Sequence, residues 1–181
     1  MIEKYAIIKV FMTLRNQDRQ LSIRDVSRMA NLSPSSAKYS LDLLYENGFV
    51  AMKKIGRSHL FKVNDSFVAK HAKILISLSE IHNSGLVNEL LSKNNSIISI
   101  ILYGSVARGE DNPDSDIDLL IISRNRLEKF SINSDKDLKR EITSIKYTIA
   151  EWRQKAKTDK AFYDRVIMDG ISLHGEKPVV L

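Results

Sequence analysis

Asp116 and Asp118 stand two residues apart at the head of an apolar run, Ile117 to Ile122, in a chain of 181 residues. In a strand, residues i and i+2 share a face, roughly 7 Å apart at Cα, so the two carboxylates point the same way. Two like charges on one face of a buried strand repel, and desolvating them is costly unless a cation or donors neutralise them. A divalent metal that takes hard oxygen ligands meets that need, and Mg²⁺ fits it best. Upstream, Ile97-Ile98-Ser99-Ile100-Ile101-Leu102 is rich in β-branched residues and reads as a second buried strand. Gly104-Ser105 ends it. A glycine lets backbone approach a ligand closely, and amides at the start of a following helix favour phosphate. Paired carboxylates beside a phosphate cradle are the parts of a phosphoryl-transfer site.

Gly104-Ser105, ten residues, then Asp116-Ile117-Asp118-Leu119 resembles the signature of the DNA polymerase beta nucleotidyltransferase superfamily. The fuller string, Gly104-Ser105-Val106-Ala107-Arg108-Gly109 through Ser115-Asp116-Ile117-Asp118-Leu119, resembles its small prokaryotic "minimal" branch. Ile171-Ser172-Leu173-His174-Gly175 is similar to the closing strand of that branch, so the resemblance covers roughly residues 85–175. It implies transfer of a nucleoside monophosphate from a nucleoside triphosphate to an acceptor. Asp116 and Asp118 would be the catalytic carboxylates and hold Mg²⁺. Gly104, Ser105 and Arg108 would bind the nucleotide phosphates, with Glu110 and Asp111 as competing partners for Arg108. Asp114 and Ser115 read as residues that shape the turn into the strand.

The resemblance also implies a third carboxylate on a later strand. The candidate strand, Ser144-Ile145-Lys146-Tyr147-Thr148, has none. Glu151 follows it, but Thr148-Ile149-Ala150-Glu151 fits the S/T-x-x-E capping box, in which the acid binds the N-cap backbone. Glu141 precedes the strand and reads as a helix-surface residue. General-base assistance contributes typically about 10²–10⁴-fold in rate, so the missing acid bears directly on activity.

The elements around the site read as α/β. Ser134 to Ile142 is charged and helical, Ile149 to Lys157 is a helix, and Phe162 to Met168 is another, stopped at Asp169-Gly170. Ahead of the site, Phe67, Val68, Ala72, Ile74, Leu75 and Leu78 are spaced for an amphipathic helix interrupted near Asn83-Ser84-Gly85, and Leu86 to Leu91 forms a shorter one.

Charge separates the first third from the rest. The chain carries a net +6, and residues 1–64 hold 11 Lys and Arg against 5 Asp and Glu, which accounts for all of it. A basic segment joined to a neutral one points to a polyanion as the partner of the first alone. Tyr5, Ile7, Ile8, Phe11, Met12 and Leu14 mark a helix over 3–15. Ser22 caps a second, Ile23 to Ala30, with Val26, Met29 and Ala30 inward. Asn31-Leu32 turns the chain, and Ser33-Pro34 opens a third helix with Ala37, Leu41 and Leu44 buried and Gly48 as its stop. Phe49 to Lys54 and Ser58 to Val63 form a hairpin.

This order resembles a winged helix-turn-helix domain. The resemblance implies DNA contacts from the third helix through Ser35, Ser36, Lys38 and Tyr39, with Asp42 also exposed there, and from the wing through Lys53, Lys54 and Arg57.

The expected architecture is therefore α+β. Residues 1–64 form a winged helix-turn-helix, 65–95 a helical linker, and 96–181 a nucleotidyltransferase domain with a small mixed sheet flanked by helices. Cysteine is absent, which excludes disulfides and thiolate metal sites. His59, His71, His82 and His174 have no metal-ligand spacing. No apolar run reaches membrane-spanning length and no signal peptide is evident, so the expected location is the cytoplasm. The expected partners are a nucleoside triphosphate and DNA. A second copy of the chain, making a homodimer, and a small helical toxin-like protein are further partners the resemblances allow. Three roles stay open: an active nucleotidyltransferase carrying a DNA-binding domain, a DNA-binding transcriptional regulator whose second domain only binds nucleotide, and an antitoxin-like protein.

Overall fold

The computed structural model describes residues 4–126, 138 and 140–180. The architecture is α+β, with eight helices and two small sheets among the described residues. The chain divides into two compact units between Ile76 and Ser77.

In the first unit, α1 (Ala6–Arg15), α2 (Ile23–Met29) and α3 (Pro34–Glu46) precede a hairpin of β2 (Val50–Ile55) and β3 (Ser58–Val63). Each helix start follows from local chemistry. Ser22 and Asp25 form a reciprocal capping box on α2. The Ser33 hydroxyl accepts from the Ser36 amide, and Pro34 occupies the first turn of α3. Asn31 adopts φ +52 in the turn between the two helices, a left-handed conformation that Asn tolerates. Val10, Phe11, Leu14, Val26, Ala37, Leu41, Leu44, Val50 and Phe61 form the core.

Two apolar residues of the expected helix patterns do not face the core. Tyr5 is 68% exposed because α1 begins after it, at Ala6, and Val10 fills the core instead. Met29, at the last helical position of α2, is 41% exposed. A two-residue strand, β1 (Leu21–Ser22), pairs with β3 and makes the hairpin a three-stranded sheet. So short a strand leaves no periodic signal in the sequence.

The long helix α4 (Phe67–Asn83) spans the division between the units, and α5 (Leu86–Lys93) follows Gly85, whose φ is +72. Phe67 and Leu75, expected on the apolar face of α4, are exposed, and its buried positions are Ala69, Ile76, Ser77 and Ile81. α4 is longer than its apolar pattern, and its buried positions Ala69 and Ile76 each lie one residue beyond the expected Val68 and Leu75.

The second unit is built on four strands, β4 (Ile97–Tyr103), β5 (Ile117–Ser123), β6 (Ile142–Thr148) and β7 (Ile171–His174), which form a mixed sheet in the order β6-β5-β4-β7. β4 is antiparallel to β5 and to β7, whereas β5 and β6 run parallel. The short α6 (Gly104–Arg108) follows β4, while α7 (Ile149–Thr158) and α8 (Lys160–Asp169) lie between β6 and β7. Alternation sends Ile100, Leu102, Leu119 and Ile121 to one face with Leu86 and Leu90, and Ile101, Leu120 and Ile122 to the other with Trp152 and Val166. β4 and β5 are thus largely buried on both faces, which is why they read as predominantly apolar runs rather than alternating ones.

The helix expected over Ser134 to Ile142 lies mostly outside the described residues. Its end is corrected: Glu141 and Ile142 lead into β6, and the Glu141 carbonyl accepts from the Ile117 amide at 2.8 Å. Among the described residues no helix is long and apolar enough to cross a membrane.

Candidate active site

Register and alternation bring Asp118 beside Tyr103. The two are directly paired across β4 and β5, at the end where β4 gives way to α6. Gly104, the first residue of α6, has φ +76. A side-chain carbon built there would stand 3.0 Å from the Asp118 Cγ and overlap its Oδ2. Glycine at this position is what lets the carboxylate lie against the turn.

The electrostatics of this corner follow from that packing. Burial pushes the Asp118 carboxyl above its ordinary value, the Asp116 charge pushes it further, and Arg108 opposes both. Tyr103 is pushed up to about 12, first by burial and then by Asp118 and Tyr147. Asp116 is exposed, Asp118 half-buried. The Ser105 hydroxyl makes no hydrogen bond among the described residues. Gly104, Ser105, Arg108, Asp116 and Asp118 therefore gather around one corner of the sheet. Arg108 pairs with Glu110 at 2.8 Å, and not with Asp111. Asn112 organises the turn: its Oδ1 accepts from the Asp114 amide at 2.9 Å and the Ser115 hydroxyl at 3.1 Å.

One contact at this corner has no counterpart in the sequence pattern. Asp111 is buried and accepts from Arg140 at 2.8 Å, joining the loop ahead of Asp116 to the entry of β6. Nothing in the spacing of residues 29 apart signals that pair.

The residues of β6 on the Asp118 face are Thr143, Ile145 and Tyr147, with Thr143 opposite Asp118. Glu151 sits in a capping box on α7, its Oε2 taking the Thr148 amide at 2.7 Å and hydroxyl at 2.9 Å. Among the described residues no group of three or more acids, histidines or cysteines could hold a metal ion. The donor set that does fit a hard divalent cation is the pair Asp116 and Asp118, since mutual repulsion on a partly desolvated face is relieved by positive charge.

The other sequence-derived residues lie in the first unit. On α3, Ser35, Lys38 and Tyr39 are exposed and Ser36 and Asp42 half-buried. Lys38 pairs with Asp42 at 2.5 Å, one turn along. Lys53, Lys54 and Arg57 are exposed on the hairpin, whose tip is Gly56 at φ +59.

A solved structure with a resemblance is the crystal structure of Sso10a-2, a DNA-binding protein from Sulfolobus solfataricus, at 23% identity and a TM-score of 0.37, over 49% of this chain and 97% of that one. No curated protein matches. The model of the family "Polymerase beta, Nucleotidyltransferase" matches residues 86–178, just over half of the chain, and takes in every residue of the corner described above. The chain belongs to the polymerase beta nucleotidyltransferase family.

Proposed function

We propose that the second unit binds a nucleoside triphosphate with Mg²⁺ and transfers its nucleoside monophosphate to an acceptor. The observation that carries this reading is the apposition of Gly104 and Asp118, with Asp116 close enough to raise the Asp118 pKa. Asp116 and Asp118 would hold Mg²⁺, which when bound offsets charge on the phosphates. The Gly104-Ser105 backbone and the Ser105 hydroxyl receive phosphate oxygens, and Arg108 adds positive charge at the end of α6. An acceptor hydroxyl attacks the α-phosphorus, its oxygen forms the new bond and its proton passes to solvent water, and pyrophosphate leaves with the electrons of the broken bond.

Titration of ATP, GTP, CTP and UTP by calorimetry, with and without Mg²⁺, tests this beside Asp116→Ala/Asp118→Ala. Mg²⁺-dependent binding that the double variant loses is the expected result. A variant that binds as the parent does overturns the assignment.

A second reading rests on β6. With Thr143, Ile145 and Tyr147 on the Asp118 face and Glu151 committed to its cap, no carboxylate among these is placed as a base. A protein that binds nucleotide without transferring it, and acts through DNA, accommodates that face.

The first unit we read as a winged helix-turn-helix that binds DNA. Three helices followed by a hairpin, with β1 completing a small sheet, support the fold, and confinement of the net +6 to residues 1–64 supports the partner. Ser35, Ser36, Lys38 and Tyr39 on α3 and Lys53, Lys54 and Arg57 on the wing would make the contacts.

A further inference from the structure

The first unit contains a polar cleft of about 440 Å³ lined by Ser22, Ile23 and Arg24, at the head of α2, and by Arg57, Ser58 and His59, at the tip of the hairpin. Lys54 is paired directly opposite His59 across β2 and β3. His59 and Phe61 alternate onto one face of β3, so the face that Phe61 buries at the base of the hairpin continues to His59 at its tip. There the lining changes from apolar to basic.

No carboxylate lines the cleft. Asp25, the nearest in sequence, is already committed: its Oδ2 accepts from the Ser22 hydroxyl at 2.7 Å and amide at 3.2 Å, and its Oδ1 from Arg28 at 3.0 Å. Among the described residues the side chains of Arg24, Arg57 and His59 make no hydrogen bond or ion pair. Neighbouring cations behave differently, since Arg28 pairs with Asp25 and Lys38 with Asp42. A guanidinium keeps its positive charge, so the cleft presents two permanent cations, with no carboxylate in its lining, to an incoming anion. The fork of donors on each matches the oxygens of a phosphate, and the Ser58 hydroxyl adds another donor.

We infer that this cleft seats one phosphodiester of a duplex DNA backbone, held by Arg24 from α2 and by Arg57 and His59 from the hairpin. The inference rests on the DNA-binding reading of the first unit and extends the contact surface to α2, which the motif-derived residues leave out. Such a contact fixes the position of the protein on the duplex and reads no base.

The test is fluorescence anisotropy of the full chain with a short labelled duplex of random sequence, over a range of KCl concentrations. It compares the parent with Arg24→Gln, Arg24→Gln/His59→Gln and Lys53→Gln/Lys54→Gln. Arg24 and His59 are exposed, so unchanged thermal melting is expected for their variants. Arg24→Gln should weaken binding about 3–10-fold at low salt and make the slope of log affinity against log salt shallower by about 1. The double variant should lose more. If the parent binds the duplex, Lys53→Gln/Lys54→Gln weakens it, and neither Arg24 variant changes affinity or slope, the cleft assignment fails and the DNA reading stands. A parent that binds no duplex overturns both. Inorganic phosphate that shifts the His59 ring signals in the NMR spectrum, with the Arg24 variants unaltered on duplex, would reassign the cleft to free phosphate and overturn the backbone contact.

Discussion

The Asp118 carboxylate lies against the backbone of Gly104 so closely that a side-chain carbon at Gly104 would overlap its Oδ2. Residue 104 is also at φ +76, where L side chains are strained. Gly104→Ala should therefore act twice, by straining the turn at a cost of about 1–3 kcal/mol and by displacing Asp118. The expected result is a lower melting temperature together with loss of Mg²⁺-dependent nucleotide binding. Retention of full affinity would show that the carboxylate need not rest on the turn.

Asp118 is expected to trade stability for function. Its carboxyl is raised, chiefly by burial and then by Asp116, so the folded state holds the proton more tightly than the unfolded chain. Stability from that proton is present below the ordinary carboxylate range and lost as pH rises through the raised value. At neutral pH the ionised group therefore costs stability. Asp118→Asn should raise the melting temperature by roughly 1–4 °C while Mg²⁺-dependent nucleotide binding disappears. A melting temperature at or below that of the parent contradicts the burial argument.

Much of this was legible beforehand because the signals were local. The β4 and β5 strands are predominantly apolar runs, Ser22 and Ser33 announce their helices, and Asp118 takes its face from the two-residue period of β5, with Asp116 one residue ahead of that strand. What escaped depended on tertiary pairing. β1 is a strand only because β3 lies beside it, and Asp111 finds Arg140 only after β5 and β6 have paired. Tyr5, Met29, Phe67 and Leu75 are apolar residues at helix ends or off the buried stripe, where periodicity does not say which face wins.

Glu151 provides a test of the capping assignment. Its carboxyl is held low by the backbone amide and then the hydroxyl of Thr148. Its contribution to stability is therefore present above the ordinary range for Glu and lost as pH falls through the lowered value. Glu151→Gln keeps an acceptor for the cap and removes the charge. It should flatten the acid limb of a melting temperature against pH profile and leave nucleotide affinity unchanged. A loss of Mg²⁺-dependent binding in this variant would instead give Glu151 a place at the metal.

The Asp111–Arg140 pair should be the most sensitive position outside the apolar core. Both side chains are nearly inaccessible, at 0% and 9% exposure, and they meet at 2.8 Å. Arg140 also reaches the Asn112 carbonyl at 3.3 Å, and Asn112 organises the turn that delivers Asp116. Asp111→Ala leaves the Arg140 charge buried without its carboxylate, and removing one partner of such a pair costs about 3–5 kcal/mol. Asp111→Ala/Arg140→Met removes both charges and should recover much of that loss in a urea or thermal melt. Nucleotide affinity should fall in the single variant and stay low in the double, because the double restores stability without restoring the tie between the Asp116 loop and β6. Full recovery of affinity in the double variant would mean that the pair supports the fold alone and leaves Asp116 to be positioned by Asn112 and Ser115.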